Sequence, residues 1–163
     1  IGEILAAWAL RYVKIPQEKP INTDHQVVAR LGNEGYTTEI RVGNHGFLAD
    51  EPIEAGGKNF GPNPYELVSS GLAACTAMTL KMYANLKKWD LQGVEVHISH
   101  DKKHCIECED SGNKNQKIDE FVREIKLEGN LDDKQKERLL EIANRCPVHR
   151  TLHNEVRVVS VLK

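Results

Sequence analysis

The longest apolar stretch of the chain, LVSSGLAACTAMTL from Leu67 to Leu80, carries no charge, and the other elements are arranged on either side of it. Its polar side chains, Ser69, Ser70, Thr76 and Thr79, are small enough to bond the carbonyls of their own helix. Just ahead stand Asn63, Pro64 and Glu66: a cap, a residue suited to the first helical position, and the third-position acid of a capping box. The pattern predicts a central helix within 61–89. Having no polar face, it is expected to be buried on every side. Gly71, Ala73, Ala74 and Ala77 let a neighbouring backbone come close, and Cys75 falls in the middle.

Upstream, Ile4, Leu5, Trp8 and Tyr12 recur at helical spacing, which predicts a short amphipathic helix over 3–14, ended by Pro16 and Pro20. Residues 1–20 thus read as an appended helix and linker, and 21–163 as the domain proper. From His25 the pattern shortens to HQVVARL, YTTEIRV and HGFLAD, punctuated by Gly32, Gly35, Gly43 and Gly46, an antiparallel meander. The glycine- and proline-rich EPIEAGGKNFGPNP is a loop leading to the central helix and a natural rim for a site. Downstream, Val94, Val96 and Ile98 alternate with polar residues as a half-buried strand that runs into a long exposed loop, HDKKHCIECEDSGNKNQ. Phe121, Ile125 and Leu127 mark another strand, with a bulge expected where Val122 interrupts the alternation. Asp132 or Asp133 caps a second helix whose inner face carries Leu139, Ile142, Ala143 and Cys146. Pro147 stops that helix, and NEVRVVSVL reads as a closing strand. The elements add up to an α+β fold.

A chain of 163 residues supports one domain with a proper core. Lys and Arg number 22 against 24 Asp and Glu, net −2 and spread along the chain, which excludes a phosphate-backbone binder and any nucleic-acid partner. No apolar run reaches the ~18 residues that span a bilayer, and IGEILAAWALRYVK lacks the marks of a signal peptide, so a soluble, cytoplasmic protein with no membrane partner is expected. In a reducing compartment, cysteines at 75, 105, 108 and 146 point to catalytic, metal-binding or idle thiols rather than structural disulfides.

Cys75 and Cys146 both fall on apolar helix faces. One reading makes them small core hydrophobes, the other a reactive pair. Their flanks, GPNPYELVSSGLAACTAMTL and ANRCPVHRTL, in this order, resemble the two signature segments of the OsmC/Ohr family, over residues 25–163. Within it, RCPVHRTL, SHDKKHC and WALRYVK are most similar to OsmC-like domains that some bacteria carry fused behind an α/β-hydrolase domain. This chain has no G-x-S-x-G nucleophile elbow of its own. The resemblance implies an OsmC-like fold, with strongly bent antiparallel sheets wrapped around a central buried helix pair in an intertwined homodimer. An all-apolar helix in so short a chain fits a dimer too.

The resemblance further implies a thiol-dependent peroxidase that reduces organic hydroperoxides, with Cys75 peroxidatic and Cys146 resolving. The resulting disulfide would be restored by an external dithiol such as a lipoyl protein, with no metal or organic cofactor. A free thiol of pKa ~8.5 is about 3 % ionised at pH 7, and lowering it to ~6 gains roughly 30-fold in thiolate while losing roughly 10-fold in nucleophilicity. Thiol activation alone is therefore too small, and a cation is needed for the departing alkoxide. The helix dipole acts on the first turn and Cys75 lies deeper, so the cation is expected to be an arginine. Hydroperoxide-reducing members carry it in an early strand or turn, held by a glutamate one residue after the proline of the helix start. Here that position is Tyr65, with Glu66 one further on; Arg30, then Arg41, are the candidate arginines. Glu66 has two readings, orienting the arginine and closing the cap. The rival function is a non-catalytic accessory domain that binds a small apolar ligand between the two subunits and uses its cysteines as packing.

His100, His104, Cys105 and Cys108 crowd into one loop. It reads as an exposed polar loop, an auxiliary dithiol or a zinc site. Structural zinc usually needs two such pairs and the second is missing, so no metal is expected. The other histidines, including His149 and His153, read as surface or strand-end residues, with His149 close enough in sequence to influence the Cys146 thiol.

Overall fold

Short β-rich runs broken by glycine build the first part of the structure. The computed structural model describes residues 21, 23–104 and 117–162, His104 and Lys117 by backbone alone, so the helix expected over 3–14 and both Cys105 and Cys108 lie outside the described residues. The chain divides into two compact units, the first ending at Gly61 and the second beginning at Pro62.

In the first unit, β1 (Val27–Leu31), β2 (Thr38–Val42) and β3 (His45–Ala49) form the expected antiparallel meander, in the order β1-β2-β3. Val28 pairs with Arg41 and Val42 with His45, and the tight turn between β2 and β3 uses Gly43 at φ 56°, a conformation that glycine adopts without strain. The loop after β3 is gathered around Asp50, which is only 2 % exposed. Its carboxylate accepts from the Thr37 hydroxyl at 3.0 Å and from the backbone N–H groups of Glu51, Lys58 and Phe60 at 2.9, 3.2 and 3.3 Å. Burial alone would raise its pKa, but together the four donors outweigh burial and hold the carboxyl below its ordinary value.

The second unit holds α1 (Pro64–Lys87), β4 (Asp90–His104), β5 (Lys117–Asn130), α2 (Asp133–Ala143) and α3 (Pro147–His153). The capping box at its start is formed: Asn63 Oδ1 accepts from Glu66 N–H at 2.9 Å, and the Glu66 carboxylate accepts from Asn63 N–H at 2.8 Å. Removing the cap side chain with Asn63→Ala is expected to cost about 1 kcal/mol, read as a lower midpoint in urea unfolding. Strands β4 and β5 pair antiparallel over nearly their whole length. Leu80 and Ala84 of α1 pack with Leu91, Leu131 and with Leu139, Ile142 and Ala143 of α2 in the core of this unit. No helix among the described residues is long and apolar enough to cross a membrane.

Four expectations are corrected. The bulge lies at Gln92, between the Leu91–Gly129 and Gly93–Glu128 pairs, whereas Phe121 and Val122 pair regularly with His100 and Ser99. Val122 simply faces outward. Helix α2 ends at Ala143, three residues before Cys146, so Pro147 does not stop that helix; it opens α3. Residues 155–162 form no strand: a strand needs a ladder partner, and none of the described strands pairs with them. They remain exposed, Val158 at 83 %. Finally, α1 is buried on one face only, at Leu72, Thr76, Leu80 and Ala84, while Met78 and Met82 are 65 % and 71 % exposed. One chain supplies neighbours to a single side of this helix.

Candidate functional site

Three elements of the second unit converge on Cys146. Helix α1 supplies Cys75 and its neighbour Thr76, the second fully buried. After α2 the chain makes a short turn that places Cys146, also fully buried, as the N-cap of α3, its sulfur accepting from His149 N–H at 3.3 Å. Strand β5 supplies Arg123, whose guanidinium donates to Thr76 Oγ1 at 2.9 Å, to the Ala143 carbonyl at 3.1 Å and to Asn144 Oδ1 at 2.8 Å. Thr76 Oγ1 in turn lies 2.8 Å from the Leu72 carbonyl and 3.9 Å from Cys146 Sγ, the second a long sulfur contact. Cys75, half-buried, is the chain neighbour of the threonine that touches Cys146, and both thiols are free.

Burial would push the Cys146 thiol up, but its donors prevail. In order of weight, the His149 N–H, the Cys75 thiol, the Thr76 hydroxyl and the Val148 N–H hold it below the ordinary cysteine value. Burial lowers the pKa of Arg123 and the Cys146 charge opposes that; a guanidinium starting so high stays cationic. Arg123 also lines a cleft of about 590 Å³ together with Leu72, Phe121, Leu140, His149 and Leu152. The His149 ring lies tilted by 42° beside that of His153, centroids 4.4 Å apart, and is pushed towards neutrality by burial first and then by the His153 and Arg123 charges. Its tie to Cys146 runs through its backbone N–H rather than its ring.

The structure thus places Thr76, the neighbour of Cys75, against Cys146 and sets on it a cation that sequence reasoning missed. The signal was present. Arg123 falls in the inward row of β5 with Phe121, Ile125 and Leu127, a charge where an apolar residue belongs. Of the two arginines expected at the site, Arg30 pairs with Glu39 across β1 and β2 at 2.9 Å, and Arg41 sits in β2. Glu66 is engaged in the capping box described above. His100 is sandwiched between the rings of Tyr65 and Phe121, centroids 4.4 and 4.5 Å away, and bonds Asp119 at 2.8 Å. No group of three or more His, Cys, Asp or Glu among the described residues is placed to hold a metal ion.

Fold and site define an α+β protein with two free thiols and an arginine bonded to the threonine that touches one of them. The sequence pattern of the OsmC-like protein family matches residues 55–160, and the chain belongs to that family. No curated protein sequence matches it. Among solved structures it is similar to an osmotic stress induced and detoxification response protein of Psychrobacter arcticus, at 18 % identity and TM-score 0.63 over 81 % of this chain and 90 % of that one. It is similar as well to an organic hydroperoxide resistance protein of Legionella pneumophila, at 21 % and 0.58 over 80 % and 91 %. The organic hydroperoxide resistance protein of Bacillus subtilis matches at 21 % and 0.54 over 77 % and 87 %. At these identities the likeness establishes the fold.

Proposed function

We propose that this domain is a thiol-dependent peroxidase that reduces organic hydroperoxides. The observation that carries the reading is the setting of the two thiols: Cys75, the more accessible, precedes Thr76, whose hydroxyl lies 3.9 Å from the buried Cys146 sulfur and accepts from the Arg123 guanidinium. Cys75 takes the distal peroxide oxygen, Cys146 condenses with the sulfenic acid, and an external dithiol, for which a lipoyl protein is suited, reduces the disulfide. The chemistry needs no metal or organic cofactor. Membership of a family whose relatives include organic hydroperoxide resistance proteins supports the substrate class. Arg123, on the wall of the cleft, takes the part of the cation that steadies the departing alkoxide. The working form is a homodimer, supported by the open face of α1 and by the unpaired valine-rich segment 155–162.

The test is turnover of cumene hydroperoxide with dithiothreitol or dihydrolipoamide. The wild type is expected to turn over, and Cys75→Ser to fall to the rate of the uncatalysed reaction. Equal rates for the two proteins would leave the rival reading, an accessory domain that binds a small apolar ligand. The complete burial of Cys146 and the apolar part of the cleft favour that rival.

A further inference from the structure

Cys146 has two tasks in one place: its sulfur is the resolving thiol of the proposed reaction and the side-chain cap of α3. The His149 N–H donates to it at 3.3 Å, and Thr76 Oγ1 of α1 lies 3.9 Å away. Helix α3 has little else to hold it. It runs for 7 residues, Pro147–His153, and none of its side chains is fully buried. An isolated helix shorter than roughly 12 residues is marginal in water, so a segment like this depends on its cap and its packing. Pro147, at the first helical position, brings no N–H, and the sulfur accepts from the amide two residues further on. Yet this weakly held helix walls the cleft, to which it contributes His149, Leu152 and His153 beside Leu72 and Arg123. It also closes over a sulfur that is 0 % exposed, which no external dithiol reaches in this state.

We propose that α3 is a redox-operated lid, closed while Cys146 is a thiol and loosened when that sulfur enters the disulfide with Cys75. This deepens the peroxidase reading and rests on it. An organic hydroperoxide oxidises Cys75 to the sulfenic acid and leaves as the alcohol. The sulfenic acid then condenses with the Cys146 thiol: the S–S bond forms, the sulfenic S–O bond and the Cys146 S–H bond break, and water is released. Both thiols are free in this structure, so the Cys146 sulfur has to leave its place under the His149 N–H to make that bond. The His149 amide thereby loses its acceptor, and a part-buried donor without a partner is costly. With no buried side chain to resist, the first turn of α3 frays into water, where the amide is satisfied again. His149, Leu152 and His153 come off the cleft with it, the alcohol departs and the external dithiol reaches the disulfide. The dithiol gives up two electrons and two protons, both thiols re-form, and the Cys146 sulfur caps α3 once more.

Hydrogen exchange, read by mass spectrometry on the peptide that covers 147–154, tests the lid in the whole chain, first reduced with dithiothreitol and then oxidised by one equivalent of cumene hydroperoxide. Exchange in this peptide is expected to be roughly tenfold faster after oxidation, the order of effect that loss of a helix cap has, while peptides from α2 and β5 keep their rates. Two variants separate a cap from mere proximity. Cys146→Ala, with no side-chain acceptor, is expected to exchange fast without any oxidant, and Cys146→Ser, whose hydroxyl is a good cap, to stay slow with and without it. A wild type that forms the disulfide with unchanged exchange in 147–154 overturns the proposal, as does a folded Cys146→Ala that is as protected as the reduced wild type. Diamide forms the same bond without a peroxide. Loosening with diamide in a protein that consumes no cumene hydroperoxide removes the peroxidase reading and leaves the lid standing, whereas a chain in which neither oxidant joins Cys75 to Cys146 overturns the lid.

Discussion

One equivalent of cumene hydroperoxide is expected to consume two thiols per chain and leave an intramolecular disulfide between Cys75 and Cys146 in the peptide map. The two residues stand far apart in sequence, but the turn after α2 sets Cys146 against Thr76, the neighbour of Cys75 in α1. A bonded pair requires α-carbons within about 7 Å and side chains that face each other. Condensation with Cys146 is expected to outrun reaction of the sulfenic acid with outside thiols. Cys146→Ser is expected to accumulate sulfenic acid on Cys75 and to complete no further turnover without an added thiol. Oxidation that maps to Cys105 and Cys108, with Cys75 unreactive in the folded protein, would return both inner cysteines to the status of core packing.

The reading of the sequence succeeded where a local rule decides and failed where a neighbour does. Asn63 with Glu66, and Asp132 with Gln135, close capping boxes whose partners are three residues apart, so the helix starts were legible. The meander was legible because glycine spacing sets its turns. Cys146 continues the helical spacing of Leu139 and Ile142, but α2 has already ended at Ala143, and only tertiary structure reveals that the sulfur caps α3 instead. Pro147 read as a stop because proline both ends one helix and begins another. Treating Val122 as a break in the alternation concealed the parity that puts Arg123 inward with Phe121 and Ile125, and with it the cation of the candidate site. The valine-rich run 155–162 has strand propensity without a strand, because propensity cannot supply a partner edge.

The replacement Met78→Glu is expected to turn the proposed homodimer into a monomer. Gly71, Ala74, Met78 and Met82 follow one another on the solvent face of α1, nothing lies within 4 Å of a Cβ built at Gly71, and Met78 and Met82 are the large apolar side chains of the stripe. Burying a methionine contributes about 1.5–3 kcal/mol, and in a two-fold interface each residue counts twice. Glutamate removes that contribution and would bury one carboxylate from each subunit in the proposed interface, so the dissociation constant is expected to rise at least a thousandfold, about 4 kcal/mol. The separated chain should be little affected, since position 78 faces solvent there and glutamate is as good a helix former as methionine. Light scattering at micromolar concentration reads the result as a fall from twice the chain mass to 18.4 kDa, with helical circular dichroism retained. A wild type that already scatters as a monomer, or a variant that keeps the doubled mass, would rule out this face as the interface. Because Ala74 of the stripe adjoins Cys75, a partner docked here stands beside the reactive sulfur, and monomerisation is expected to change KM for bulky hydroperoxides more than for small ones.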